Sequence, residues 1–251
     1  MSKITTNETI KTMQNHVSVR KFTDEAIPQE HLLQILAAAQ GAASSHFVQA
    51  YSIIHITDAD KKAKIAEYAG NQAQVAECAD FLLFCGDLKR LEYACQKHDI
   101  EIEHDLLENF MVATIDAALV AQNTLTAAES LGYGGCYIGG VRNNPSAISE
   151  LVGLPDKVFP LFGMTLGVPA KRNDVKPRLP LEAVLHENIY DETTYPKLLE
   201  DYDATMHTYY NSRSSNAKNT IWTKQMADFM GKKKRTFKRD FMKNKDFNLP
   251  E

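Results

Sequence analysis

A short segment near the N-terminus carries three polar side chains at alternate positions. His16, Ser18 and Arg20 are separated by Val17 and Val19. Because β-branched valines favour an extended backbone, in which alternate side chains share a face, we expect the three polar groups on one side. An imidazole, a hydroxyl and a guanidinium so placed form a seat for a phosphate, since arginine presents a fixed fork of donors. A half-buried edge strand with a polar outer face is the competing explanation.

A second pair of cations lies later in the chain. Pro177 and Pro180 hold the backbone extended there. A spacing of two then puts Lys176 and Arg178 on the same side. With no acidic residue between Lys176 and Leu181, the pair indicates an anion site, although a solvated charged loop accounts for it as well.

The third segment is a glycine-rich stretch, with five glycines from Gly132 to Gly140. It is not a Rossmann fingerprint, which follows a strand and opens a helix, because here a helix comes first. It is not a P-loop either, because Gly140 stands where that motif requires lysine. The stretch either lets the backbone approach a flat or anionic group, or forms a turn that leads into a buried strand.

Composition narrows the class of protein. At 251 residues, with 44% hydrophobic and 24% charged residues, the chain is typical of a soluble globular protein. The cysteines have no metal-ligand spacing, so we expect no metal site, and buried thiols in a reducing compartment: Cys78, Cys85, Cys95 and Cys136. The first residues lack the apolar region of a signal peptide, which predicts a cytoplasmic protein.

The C-terminal part of the chain is basic. Residues 218–251 hold ten Lys or Arg against four Asp or Glu, a balance suited to binding nucleic acid, a membrane surface or a small anion.

A long apolar helix is predicted over residues 105–131, directly before the glycines. Its apolar side chains spread around all sides, and between Asn109 and Ala128 the only charge is Asp116. Such a helix must be buried on all sides. We interpret it as a central core helix, with a second copy of the chain as one source of cover, and not as a membrane span, since polar residues interrupt it.

The remaining elements follow from periodicity and capping signals. Strands are predicted at 16–22, 51–57, 79–85, 136–138 and 159–168. Helices are predicted from Thr5 or Thr6 to before Val17, and at 28–42, 58–69, 89–97, 144–151 and 195–210, with further apolar stripes beyond residue 222. The second helix ends in a turn containing Ser44 and Ser45, whose hydroxyls either bind a ligand or cap neighbouring backbone.

Together these segments resemble the flavin-dependent nitroreductases, in the branch of oxygen-insensitive NADPH nitroreductases and flavin reductases. The resemblance covers essentially the whole chain. It rests on five segments in this order: His16 to Arg20, Ser44-Ser45, Gln72, Gly134 to Asn144, and Lys176 to Leu181.

The resemblance implies an α+β fold with a mixed, mainly antiparallel central sheet surrounded by helices. It implies an intertwined homodimer with FMN at the subunit interface. Residues 1–190 would form the FMN-binding core, and residues 191–251 a C-terminal helical extension that packs on the core or on the partner subunit.

It further implies non-covalent FMN, held at its phosphate by the two cationic segments. Ser44 and Gln72 would contact the ribityl chain or the pyrimidine edge, and a backbone N–H, that of Gly139, would meet flavin N5. The implied cofactor-binding residues are His16, Val17, Ser18, Val19, Arg20, Ser44, Ser45, Gln72, Tyr137, Ile138, Gly139, Gly140, Lys176 and Arg178. Two of the chain's residues depart from the family pattern: Val17 and Lys218 stand where arginine is common.

The implied activity is hydride transfer from NADPH through FMN to nitroaromatics, quinones or free flavin in a ping-pong cycle. Arg213 and Lys218 would bind the 2′-phosphate of NADPH, and no catalytic side chain is expected because the chemistry belongs to the cofactor. An NAD(P)H oxidase or a dedicated FMN reductase is the alternative within this class. A protein that binds nucleic acid or an anionic surface through the basic tail is the alternative from another class.

Overall fold

The computed structural model describes residues 7–104, 106–213, 217–232 and 235–247. The chain divides into two compact units. The larger contains residues 1–173 and 235–251, and the smaller contains residues 174–234.

A four-stranded sheet lies at the centre of the larger unit. Its strands are β1 (Tyr51–Ile56), β2 (Asp80–Asp87), β3 (Gly134–Ile138) and β4 (Val158–Gly167), in the order β1-β2-β4-β3. Every pairing in the described chain is antiparallel, which confirms the mainly antiparallel sheet and shows no parallel pair within these residues. The central strands β2 and β4 are buried along almost their whole length, as their continuous apolar runs predict.

Ten α-helices surround or follow this sheet in the described residues. They are α1 (Glu8–Gln14), α2 (Gln29–Ala39), α3 (Ala59–Tyr68), α4 (Ala73–Glu77), α5 (Lys89–Gln96), α6 (Leu107–Ser130), α7 (Pro145–Val152), α8 (Tyr195–Ser212), α9 (Trp222–Met230) and α10 (Lys238–Lys243). The short α4 was not predicted, because five residues are too few for a helical period to show. The predicted cap of the first helix was wrong: Asn7 accepts the hydrogen bond from the Ile10 amide.

The long helix α6 packs on the sheet and on α2, and one of its faces lies in the core. The prediction of burial on all sides was wrong for a single chain. Leu107, Met111, Ile115 and Leu119, four residues apart in turn, are 41% to 50% exposed. By length and composition α6 is the one described helix able to cross a membrane, with a mean hydropathy of 1.2 over its most apolar window. Core helices of soluble proteins pass the same test, and Asp116 in the middle of α6 is fully buried by protein.

The N-terminal segment 16–22 runs extended along β3 but is not a regular strand. Val17 and Val19 are buried while Arg20 is exposed, so the predicted alternation is present. Among the described residues, one backbone hydrogen bond joins this segment to β3: the Val19 amide donates to the Gly135 carbonyl oxygen at 2.9 Å. An isolated bridge between Phe22 and Pro169 ends the segment.

In the smaller unit, α8 and α9 enclose a small aromatic core. Tyr202, Met206 and Tyr210 are buried from one face of α8, as its period predicts, and the rings of Tyr202 and Trp222 lie 5.7 Å apart. The segment after residue 235 returns to the larger unit. There Phe241, Met242 and Phe247 join a core cluster with Phe159, whereas Phe229 and Phe237 of the predicted apolar stripes are 56% and 40% exposed.

Candidate functional site

The predicted phosphate seat lies directly against β3. A Cβ at Gly134 would overlap the side chain of Val19, so the glycine is what lets the two segments meet. Burial raises the pKa of the Cys136 thiol, while the charge of Arg20 and a hydrogen bond with Ser18 act in the opposite direction. The polar side chains of residues 18 and 20 therefore approach the strand that leads into the glycine-rich stretch.

His16 is oriented by a buried acid. Its Nδ1 lies 2.7 Å from Oε1 of Glu129, whose side chain is only 4% exposed at the end of α6. Because a carboxylate only accepts, Nδ1 carries a proton, and Nε2 is the ring nitrogen left for another partner. The sequence drew attention to His16 but gave no sign that Glu129, in a distant helix, fixes its tautomer.

Gln72 lies against the glycine-rich stretch. Its Nε2 donates to the Ala69 carbonyl oxygen at 3.1 Å, and Asn143 Nδ2 donates to the same oxygen at 3.2 Å. A Cβ at Gly140 would overlap both that oxygen and the Gln72 amide. Two segments that the sequence could only name separately are thus in contact, and Gly140 is required by protein packing.

Gly139 has a different neighbour. A Cβ there would meet only the Arg142 guanidinium, with Nη2 at 3.1 Å. Arg142 Nη1 donates to the Leu161 carbonyl oxygen, and burial together with the nearby Arg235 lowers the pKa of Arg142. A half-buried positive charge therefore stands beside the glycine predicted to meet flavin N5, a role that the sequence did not suggest for Arg142.

The loop with Ser44 and Ser45 is held by Asp116. Ser44 Oγ donates to Asp116 Oδ2 at 2.7 Å, and the amides of Ser45 and Ala50 donate to the same carboxylate at 3.2 and 2.9 Å. The loop between them has three residues with positive φ, and it leaves Phe47 79% exposed. Asp116, the only charge between Asn109 and Ala128, is thus a loop anchor, and the Ser44 hydroxyl is engaged within the protein.

The other predicted cations lie in the smaller unit. Lys176 Nζ sits 5.5 Å from the centre of the Tyr210 ring, and the Tyr202 hydroxyl donates to the Pro177 carbonyl oxygen at 2.9 Å. Burial raises the pKa of Tyr210, but Lys176 and Lys218 among other groups outweigh it and the pKa is lowered. The segment 176–178 is therefore packed on α8, with Lys218 close enough to act on the same hydroxyl.

The predicted anion seats also share an electrostatic property. In the described part of the chain no acidic side chain forms a salt bridge with Arg20, Lys176, Arg178, Arg213 or Lys218. By contrast, Lys157 pairs with Glu92 at 3.0 Å and with Asp246 at 3.2 Å. The cations at the predicted anion sites therefore have no acidic partner among the described residues.

The comparison with known proteins decides the family. Residues 13–168 match the family model described as "Nitroreductase family", and residues 176–250 match "Nitroreductase family, C-terminal domain". The chain belongs to the nitroreductase family. Within it, this nitroreductase falls among the NADPH-dependent FMN reductases and nitroreductases.

Its relatives match over nearly their whole length. A chromium(VI) reductase of Pseudomonas sp. (strain G-1) is 52% identical over 236 residues, covering 94% of this chain and 97% of the relative. An NADPH-dependent FMN reductase of Bacillus subtilis (strain 168) is 43% identical, covering 96% and 99%. A solved nitroreductase of B. subtilis superposes with a TM-score of 0.92 at 42% identity, covering 96% of this chain and 99% of that chain.

Proposed function

We propose that this nitroreductase is an FMN-dependent oxidoreductase that uses NADPH to reduce small acceptors: nitroaromatics, quinones, chromium(VI) or free flavin. The printed activities of its relatives support this class. One observation on the chain itself carries the proposal: segments far apart in the sequence meet at β3 and the glycines that follow it. The segment with His16, Ser18 and Arg20 lies against β3, and Gln72 lies against Gly140.

These residues fit FMN by the chemistry of their donors. Arg20, Lys176 and Arg178 would neutralise the phosphate, and the Nε2 of His16 would add a donor, with Ser18 beside it. Ser45 and Gln72 would contact the ribityl chain or the ring edge, and Ser44 would contribute alongside its bond to Asp116. Tyr137 to Gly140 would line the ring. Val17 contributes an apolar anchor where a further arginine would add a phosphate contact.

When bound, FMN supplies the redox chemistry, accepting hydride from NADPH and passing two electrons to the acceptor. The chain's part is positioning. The Gly139 amide would donate at N5, and the Arg142 guanidinium next to it would place positive charge where the reduced ring gains electrons. Arg213 and Lys218 would bind the 2′-phosphate of NADPH, with Lys218 the weaker contact because it lacks a bidentate fork.

We also propose that the protein is a homodimer. The exposed stripe of α6 is apolar over about three turns, and a closed symmetric dimer would bury the same stripe from both copies. The stretch 181–190 leaves Leu185, Ile189 and Tyr190 65% to 74% exposed, a second apolar surface that needs cover. A cytoplasmic location fits the four free cysteines, of which Cys78 and Cys85 have pKa values raised by burial to about 11 and about 12.

Spectroscopy and turnover test the function together. The purified protein should be yellow, and anaerobic NADPH should bleach the flavin absorbance. Steady-state rates with NADPH against NADH, over nitroaromatic, quinone, chromate, flavin and oxygen acceptors, then rank the acceptors and show parallel double-reciprocal lines for a ping-pong cycle. A colourless protein that binds no added FMN and instead binds DNA with a steep salt dependence would overturn the proposal in favour of the basic-tail alternative.

A further inference from the structure

The first turn of α9 is held by a residue of another helix. Ile221, its N-cap residue, has a hydrocarbon side chain that cannot accept a hydrogen bond, although the first amides of a helix need acceptors from outside it. Asp203 of α8 supplies them: Oδ1 accepts from the Thr223 amide at 2.9 Å, and Oδ2 accepts from the Thr223 hydroxyl. One half-buried carboxylate therefore joins the start of α9 to α8.

A second contact joins the same two parts of the chain. His207 Nε2 lies 3.0 Å from Asn219 Oδ1, within hydrogen-bond distance. Asp203 and His207 are one helical turn apart in α8, so their side chains lie on the same face. This face of α8 therefore holds the following chain at Asn219 and again at Thr223.

The chain between α8 and α9 carries two cations. Arg213 is the C-cap of α8, and its guanidinium lies 5.9 Å from the centre of the Tyr209 ring. Lys218 lies in the segment that leads into α9. Burial raises the pKa of Tyr210, but the charge of Lys218 is among the causes that lower it on balance, which places Lys218 near the Tyr210 hydroxyl. Arg213 is thus positioned by α8 and Lys218 by the approach to α9, and the contact between the two helices sets their separation.

We propose that Asp203 is a positioning residue for the choice between NADPH and NADH. By holding Thr223 it fixes the approach to α9, and with it the position of Lys218 relative to Arg213. The inference rests on the proposed function, which assigns these two cations to the 2′-phosphate of NADPH. A phosphate gains charge-assisted bonds from both cations only when both reach it at once. NADH has no 2′-phosphate, so the loss of Asp203 should lower the preference for NADPH.

The ratio of kcat/KM for NADPH to kcat/KM for NADH, measured with one acceptor, tests this role. In Asp203→Leu both bonds to Thr223 are lost, and the ratio should fall about tenfold, the factor that one charge-assisted contact is worth. In Asp203→Asn the ratio should stay within about threefold of wild type, because an amide oxygen can accept from the Thr223 amide while the amide N–H donates to the hydroxyl. Asp201→Leu is the matched control. It removes an exposed carboxylate of the same helix that pairs with Lys197, and the ratio should not change.

Binding without a reductant tests the same contact. The probes are 2′,5′-ADP, which has the 2′-phosphate, and AMP, which lacks it. Calorimetric titration of the purified protein should show a preference for 2′,5′-ADP that falls about tenfold in Asp203→Leu and persists in Asp203→Asn. Circular dichroism of each variant shows whether the fold is intact.

A double-mutant cycle shows whether Asp203 acts through Lys218. Lys218→Ala should lower the preference for 2′,5′-ADP about tenfold, and Asp203→Leu should add little in that background, because the cation that it positions is gone. If Asp203→Leu does not fold, Thr223→Val takes its place. This change removes only the hydroxyl bond and should lower the preference about threefold, whereas Thr223→Ser keeps the hydroxyl and the preference.

Four results would contradict the inference. An equal fall for NADPH and NADH in Asp203→Leu would make Asp203 a cap of α9 and nothing more. A ratio in Asp203→Asn as low as in Asp203→Leu would show that the charge of the carboxylate matters and not its hold on Thr223. Additive losses in the double variant would separate Asp203 from Lys218. Equal affinity of the wild type for 2′,5′-ADP and AMP would mean that neither cation binds the 2′-phosphate.

These results are distinct from a failure of the proposed function. A yellow protein that oxidises NADPH, with the same donor ratio in Asp203→Leu as in wild type, would refute the role of Asp203 and leave the proposed function standing. A protein that binds no FMN and oxidises no NADPH would refute the proposed function, and the titrations with 2′,5′-ADP and AMP would still test the contact of Asp203.

Discussion

We expect flavin binding in the proposed site to depend most on Arg20 and Arg178. Neither has an acidic partner in the described chain, so replacing them leaves no buried charge unpaired. A charged hydrogen bond is worth about 1.5–3 kcal/mol, so each change to alanine should weaken FMN binding about tenfold or more. The Arg20→Ala/Arg178→Ala double variant should therefore be purified without flavin.

Flavin content, FMN titration and circular dichroism check this prediction. The control is Lys21→Ala, which removes an exposed charge next to Arg20 in the chain and should keep its flavin. A double variant that keeps its full flavin content with an intact fold would show that the phosphate is bound elsewhere.

Glu129 should act on flavin only through His16. Replacing it with glutamine keeps an oxygen that accepts from Nδ1, whereas leucine removes the partner and frees the imidazole to rotate. We expect FMN affinity in Glu129→Gln to stay within about threefold of wild type, and in Glu129→Leu to fall about tenfold, the cost of one lost hydrogen bond of about 1.4 kcal/mol.

FMN titration of both variants, with thermal unfolding measured alongside, decides whether this role is orientation. If both variants lose affinity and stability to the same degree, Glu129 serves the core and not the ring.

Gly139 and Gly140, adjacent in the chain, should respond differently to substitution by alanine. In Gly140→Ala the new methyl would overlap the Ala69 carbonyl oxygen and Gln72, so we expect a loss of about 1–3 kcal/mol in the free energy of unfolding. In Gly139→Ala the methyl meets only the end of the Arg142 side chain, which can move. That variant should unfold like the wild type but show a shifted flavin spectrum. Urea unfolding and visible spectra of the two variants check this prediction. A Gly140→Ala protein as stable as the wild type would contradict it.

The exposed face of α6 gives a prediction about assembly. Ile115 is half exposed in the middle of the stripe. In a symmetric dimer a carboxylate at this position would lose its hydration in both copies. Ile115→Glu should therefore yield monomers with little flavin in light-scattering chromatography. Tyr93→Glu, which alters an exposed apolar residue of α5, should remain a dimer. A dimeric, yellow Ile115→Glu protein would show that α6 is not the interface.

Elements with strong local signals could be predicted, and contacts between them could not. The helix N-caps at Asp58 and Asn144 and the buried runs of β2 and β4 follow from neighbouring residues. The approach of Glu129 to His16 joins residues far apart in sequence, so no local pattern contains it. The prediction that α6 is buried on all sides failed for another reason. An apolar helix surface has the same sequence pattern whether its own chain or a second copy covers it.

At the scale of the whole molecule, a small ionic network holds the C-terminal turn to the core. Lys157, before β4, pairs with Glu92 of α5 and with Asp246, and its amide donates to the Lys245 carbonyl oxygen at 3.2 Å. Burial lowers the pKa of Lys157, but its hydrogen bonds to both acids outweigh this and the pKa is raised. Phe247, next in the chain, is almost fully buried, so the network fixes the segment that packs in the core cluster with Phe159.

Glu92 makes this network sensitive to acid. Hydrogen bonds from Lys89 and Lys157 lower its pKa, so its stabilising contribution is present above the ordinary glutamate pKa of about 4.3 and is lost as pH falls through the lower folded value. Glu92→Gln should therefore lose about 1–2 kcal/mol of unfolding free energy near pH 7, and the gap to wild type should close on acidification. Glu67→Gln, which removes an exposed carboxylate 3.8 Å from Lys64, should cost at most about 0.5 kcal/mol at either pH. Urea midpoints measured from about pH 7 to below about pH 4 give the stability difference from wild type for both variants. A difference for Glu92→Gln that stays constant with pH would mean that the charge of the Glu92 carboxylate plays no part in holding the C-terminal turn.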